Sequence, residues 1–121
     1  MFHCLCTAAA DLLIGGKAAK RSDAAWRHVY RALNHGSAKN ACNNQEVIKK
    51  FPDPFLDFAK EFTESQKRRH DADYDPEARF QKSDVEEFID TAETAIRNFK
   101  QEDTADRRAF VVWLLLSDRR G

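Results

Sequence analysis

Residues 83–100 read SDVEEFIDTAETAIRNFK, and the period of their apolar positions decides the fold. Val85, Phe88, Ile89, Ala92, Ile96 and Phe99 recur every three or four residues. That interval lines up side chains on one face of an α-helix, whereas a half-buried strand would require strict alternation. Ser83 followed by Glu86 has the S-x-x-E form of a capping box, which predicts where the helix starts. Residues 83–100 are therefore expected to form an amphipathic helix.

The same period extends in both directions. Downstream, the polar turn QEDTAD (101–106) leads into Phe110, Val111, Trp113, Leu114 and Leu115, apolar on most of a helical circumference, as a central or interface helix would be. Upstream, Phe55, Phe58, Ala59 and Phe62 stand at i, i+3, i+4 and i+7, and their helix is expected to run to about Tyr74 and stop at Asp75-Pro76. NNQEVIKKFPDP (43–54) precedes it as a connector, since Pro52 and Pro54 each disfavour helix in the residue before. Ser22 or Asp23 can cap an earlier helix with Trp26, Val29, Tyr30 and Leu33 on one face, expected to pass Gly36 and end near Cys42. Phe2, Leu5, Ala9, Leu12 and Leu13 form a first stripe that stops at Gly15-Gly16, because glycine tolerates the left-handed cap. Val, Ile and Thr are sparse, and no alternating run is sustained. The sequence predicts an all-α chain: one domain over residues 1–121, an antiparallel up-and-down bundle of four to five helices.

The totals narrow the function classes. A chain of 121 residues, 42% hydrophobic and 33% charged, suits one core that needs neither disulfide nor metal. Twenty basic residues balance twenty acidic ones, which argues against the broad basic face of a dedicated duplex-DNA binder. Cys4, Cys6 and Cys42 have no paired C-x-x-C spacing and follow no signal peptide, so reduced thiols in a cytoplasm are expected. The longest apolar run, AFVVWLLL (109–116), is far below the ~20 residues of a bilayer span. No cofactor or metal is expected, and no G-x-S-x-G or phosphate-cradling glycine loop occurs.

Two polar clusters are candidate sites. The first is RRHDADYDP (68–76). On a helix, Lys67 pairs with Asp71, Arg69 with Asp73 and His70 with Tyr74, each one turn apart. These can be plain charge pairs at a solvated helix end. They can also form a phosphate site, in which Arg68 or Arg69 grips the phosphate, His70 moves a proton and Tyr74 stacks or donates a hydrogen bond. Metal binding by His70, Asp71, Asp73 and Asp75 would require a loop, because carboxylates at i and i+2 diverge on a helix.

The second cluster is RSDAAWRHVYRALNHG (21–36). Arg21, His28 and His35 recur every seven residues, and Arg31 lies one turn from each histidine, so one continuous helix would place them on a shared stripe away from Trp26, Tyr30 and Leu33. Such a stripe is either a wet face or a set for metal-free RNA cleavage, with a histidine acting on the 2′-hydroxyl and an arginine stabilising the crowded phosphorane. His28, Arg31, His35 and His70 are accordingly the catalytic candidates, and Arg68, Arg69, Asp73 and Tyr74 the nucleotide- or phosphate-binding ones. Cys4 and Cys6 point apart at i and i+2 and read as packed apolar residues.

AWRHVYRALNHGSAK, FPDPFLDFAKEF, RRHDADYDP and SDVEEFIDTAETAI together resemble the small bacterial helical proteins of the HEPN class, the nucleotide-binding domain of higher eukaryotes and prokaryotes. Arg69 with ADYD (72–75) matches the end of that family's third helix, and the likeness spans residues 1 to about 100. The resemblance implies an up-and-down bundle, homodimerisation, and in active members a metal-independent endoribonuclease or toxin–antitoxin role. Active members carry an Arg, four to six residues, then a His on one helix. Here Ala72 stands two before Tyr74, where that His belongs, and His70 is too close to either arginine. Arg21 to His28 has a six-residue gap but begins at a linker.

The resemblance thus implies a domain that binds nucleotide, RNA or a protein partner with little or no catalysis. An RNase toxin is the alternative, and a structural adaptor or antitoxin partner of a nucleotidyltransferase is a third. MFHCLC also resembles the tail of a longer helix, which implies a preceding segment, apolar surface left open on the final helix, and a second copy to cover it.

Overall fold

The stripe at 83–100 folds as its period requires. A computed structural model describes residues 1–18, 20–75, 77 and 81–116. Among them are seven helices and no strand: α1 (Phe2–Leu13), α2 (Asp23–Ala32), α3 (His35–Asn43), α4 (Gln45–Ile48), α5 (Asp53–Tyr74), α6 (Lys82–Lys100) and α7 (Thr104–Leu115). The chain is all-α.

Helix α5 is the centre of the packing, touching α3, α4 and α6, while α7 packs on α1 and α3. Phe55 and Phe58 of α5, Phe99 of α6 and Phe110 of α7 are all fully buried and make one ring cluster. Phe58 meets Phe99 at 4.8 Å between centroids, and Phe55 meets Phe110 at 5.3 Å. Leu5, Ile48 and Phe62 close the core around them. Full burial of one such ring contributes roughly 2–3 kcal/mol, so this cluster outweighs any single polar contact in the molecule. Along the α5–α6 contact Phe58 lies against Phe99 and Arg68 over Phe88, so residue numbers rise along one helix as they fall along the other.

Several boundaries differ from the sequence expectation, each for a physical reason. The helix expected to continue to Cys42 breaks at Leu33 and Asn34, both extended, with φ/ψ of −72/129 and −114/134 degrees. The Asn34 side chain accepts a hydrogen bond from the Ser37 N–H and starts a new helix, while Leu33 is pulled into the core. Gly36 therefore sits in the first turn of α3; a Cβ there would come within 3.3 Å of the capping Asn34 oxygen. The connector after it contains a full turn, α4, which buries Ile48. The capping box of α6 is Gln81 with Asp84 rather than Ser83 with Glu86. Helix α7 begins at Thr104, capped by Asp103, so the second half of QEDTAD is helical.

Two ends agree with the sequence. Gly15, at φ 126 degrees, follows the end of α1. Helix α5 ends at Tyr74 with Asp75 as its cap residue, and Pro76 lies outside the described residues.

The final helix was expected to leave apolar surface open. Helices α1 and α3 pack on it and Phe110, Val111 and Leu114 are buried, while Leu116, its cap residue, is 66% exposed. On α6, Val85 is 41% and Ile89 51% exposed.

Candidate functional site

The two clusters singled out in the sequence meet in part. A groove of about 500 Å³ runs between the first turns of α3 and the last turns of α5. His35, Gly36 and Lys39 line it from α3. From α5 come Gln66, Lys67, Arg69, His70, Asp73 and Tyr74. Helix α5 has 22 residues, about 33 Å at 1.5 Å per residue, so its last turns extend past the phenylalanine cluster and carry a polar face.

His35 is the most closely held group in the groove. Its ring stacks on Phe2 of α1 at 3.6 Å, 22 degrees from parallel. The Gln66 amide nitrogen donates to His35 Nδ1 over 2.8 Å, so Nδ1 accepts and the ring proton sits on Nε2. On α5, the His70 and Tyr74 rings lie 4.9 Å apart, the one-turn pair that the spacing predicts. Tyr74 is 75% exposed, so the face of its ring is open to solvent beside the groove.

Lys39, Lys67 and Arg69 form no ion pair among the described residues, and the expected Lys67–Asp71 and Arg69–Asp73 pairs are not made. Three cations thus line the groove with one carboxylate, Asp73. The first backbone N–H groups of α3 add partial positive charge at the same end.

Arg68 turns elsewhere. Its guanidinium donates to Glu61 at 2.5 Å and to Ser65 at 3.3 Å, lies 3.8 Å from Glu64, and covers the Phe88 ring at 4.1 Å. Glu61 is the one buried charged side chain among the described residues, and Arg68 neutralises it. Of the adjacent arginines, Arg69 alone lines the groove.

His28 and Arg31 are exposed on α2 and do not line the groove. The break at Leu33-Asn34 takes His35 off their helix, so the seven-residue stripe does not exist as one face. Arg21, its first member, is a clamp: it donates to the Gly15 carbonyl at 2.9 Å, pairs with Asp11 and Asp23, and lies over Trp26.

Among the described residues no three His, Cys, Asp or Glu side chains are grouped to hold a metal ion. Helix α5 stays regular through Tyr74, which splays the aspartates that a loop would have gathered. Burial pushes the Cys42 thiol up to about 12 and raises Cys4 and Cys6 as well, which disfavours the thiolate at all three; none is in a disulfide.

Lys39 and Gln66 were not singled out from the sequence, and Lys67 only as a partner of Asp71. Gln66, Arg69, His70, Asp73 and Tyr74 stand at i, i+3, i+4, i+7 and i+8, a polar stripe that the helical period does disclose. Nothing local discloses Lys39, which reaches the groove through tertiary packing.

No protein-family model, curated protein or solved structure matches the chain. Among the described residues no helix is long and apolar enough to cross a membrane.

Proposed function

We propose that this chain is a HEPN-like domain, an antiparallel up-and-down helical bundle that binds the phosphates of a nucleotide or of single-stranded RNA in the α3–α5 groove. The observation that carries this is the convergence of His35 and Lys39 from α3 with Lys67, Arg69 and Tyr74 from α5. Unpaired cations bind a phosphate without first breaking an internal salt bridge, and Arg69 offers the planar fork that suits phosphate oxygens. Tyr74 supplies a ring for base stacking, worth about 1–3 kcal/mol per base. Catalysis is weak or absent, because no Arg and His stand four to six residues apart on α5. The protein works as a homodimer in the cytoplasm.

One observation favours an RNase toxin of a toxin–antitoxin pair as the second reading: His35 and His70 line the same groove as Arg69. Two imidazoles on either side of a scissile phosphate could serve as base and acid, with Arg69 holding the phosphorane.

The test is fluorescence anisotropy of a labelled single-stranded RNA titrated at several salt concentrations, with cleavage of mixed RNA in EDTA followed in parallel. Binding that weakens with salt and is lost in Lys67→Ala/Arg69→Ala supports the groove. Cleavage abolished by both His35→Ala and His70→Ala moves the conclusion to the RNase. RNA and mononucleotides that leave the anisotropy unchanged would refute both.

A further inference from the structure

The apolar face of helix α6 is wider than its contact with α5. Phe88, Ala95 and Phe99 turn toward α5, the helix on which α6 principally packs. Val85, Ile89, Ala92 and Ile96 form the stripe along the neighbouring edge of that face, spaced four, three and four residues apart and within about 60° of one another at 100° per residue, with Ile96 packed against the core. That is the spacing of a coiled-coil seam. Its first half stands in solvent, with Val85 and Ile89 41% and 51% exposed.

We propose that this stripe is the homodimer surface, on which α6 of a second copy lies antiparallel about a two-fold axis near Ala92. The inference rests on the homodimer reading above and assigns its face. Three features select a second copy.

The charges along the helix are polarised. Between Asp84 and Glu93 its charged residues are all acidic, and the last turns carry Arg97 and Lys100. Antiparallel pairing sets the acidic end of each helix against the basic end of the other, whereas parallel pairing would oppose like charges. The relief is also self-complementary. A hollow of about 350 Å³ lined by Glu93, Ile96, Arg97 and Lys100 lies toward the C-terminal end of the stripe, while Val85 and Ile89 project toward its N-terminal end. An axis beside Ala92 brings Val85 and Ile89 of each copy over the hollow of the other, and Glu86 between the copy's Arg97 and Lys100. Finally, Ala92 is the smallest residue of the stripe, so the helices can approach most closely at the axis.

An interface of this extent is modest. A 19-residue helix is about 28 Å long and covers roughly half of the about 800 Å² per partner in a standard interface.

Sedimentation velocity of the full chain from micromolar to submillimolar concentration tests the proposal. The wild type should self-associate, and Ile89→Glu should weaken that by at least about tenfold, roughly 1.4 kcal/mol, with an unchanged thermal melt because Ile89 is half exposed. Glu86→Lys should weaken it too, and adding Arg97→Glu and Lys100→Glu should restore it. Ala92→Cys should oxidise to a dimer linked through residue 92, identified by mass spectrometry, whereas Glu87→Cys, on the opposite side of α6, should not. A wild type that stays monomeric throughout overturns the homodimer and leaves the stripe to a different protein. Self-association untouched by Ile89→Glu and not trapped by Ala92→Cys overturns the assigned face alone.

Discussion

Arg68 and Arg69 are neighbours in sequence with separate tasks, and replacing each by alanine should separate stability from binding. Arg68→Ala removes the partner of Glu61, which is 6% exposed and keeps only the Ser65 hydroxyl at 3.2 Å. Breaking a fully buried ion pair by removing one partner costs about 3–5 kcal/mol. The Arg68 side chain retains 22% exposure, so water reaches the site and the cost falls below that range, to about 2–3 kcal/mol. Loss of the guanidinium from the face of Phe88 adds about 0.5–1 kcal/mol. The total of about 3 kcal/mol corresponds to a fall in Tm of about 10 °C for a chain of this size.

Arg69 is exposed and unpaired among the described residues, so Arg69→Ala should leave stability within about 0.5 kcal/mol. It should instead weaken single-stranded RNA binding and reduce the slope of log K against log salt by about 0.7, one phosphate contact. Urea titration with salt-dependent anisotropy on both variants reads the two effects. Arg68→Ala as stable as wild type would refute the role given to the Glu61 pair. Arg69→Ala with an unchanged salt slope would refute the groove contact.

Other substitutions address single features. Tyr74→Ala should cost about 1–3 kcal/mol of RNA affinity, read by anisotropy, with a thermal melt within about 0.5 kcal/mol of wild type. Phe99→Ala opens a cavity among Phe55, Phe58 and Phe110 and should cost about 3–5 kcal/mol in urea denaturation. Asn34→Ala removes the side-chain acceptor at the start of α3 and should cost about 1 kcal/mol, read by the same titration. Cys42 has its thiol at about 12 against an ordinary 9.0, so above pH 9 the unfolded chain loses a proton that the folded chain keeps. Its contribution to stability is intact below about pH 9 and declines as pH rises toward 12; denaturation at alkaline pH of wild type against Cys42→Ala should show the difference.

What the sequence disclosed, and what it did not, follows from the range of each force. Helix α6, the stop of α1 before Gly15 and the end of α5 at Tyr74 are set by periodicity and by residues adjacent in the chain, so they were legible. The break at Leu33-Asn34 was not, because Asn34 is an acceptable helix residue and Gly36 the more conspicuous one. Burial of Leu33 and a side-chain cap decided it. The α5 half of the groove was visible in the spacing of Arg69, His70, Asp73 and Tyr74. The α3 half depends on where a second helix packs, which no local pattern encodes, and the expected link from His28 to His35 failed for the same reason. Periodicity likewise finds the stripe Val85, Ile89, Ala92 and Ile96 but does not say whether the chain itself covers it.

Helix α2 has no fully buried residue; Tyr30 is half-buried against the core, and polar ties to α1 add the Tyr30 hydroxyl on His3 Nδ1, Trp26 on Asp11, and the Arg21 clamp. Sub-global opening should begin there, with α2 amides exchanging with solvent at free energies well below those of α5 and α7. The chain leaves α2 through Leu33 directly into the cap of α3, and His35 is the first residue after that cap. The wall of the groove that carries His35 is therefore a core-packed helix joined directly to α2, while the wall that carries Arg69 and Tyr74 continues the helix at the centre of the packing. Both walls are anchored, and a ligand that bridges them should slow exchange in α2, a segment it never touches.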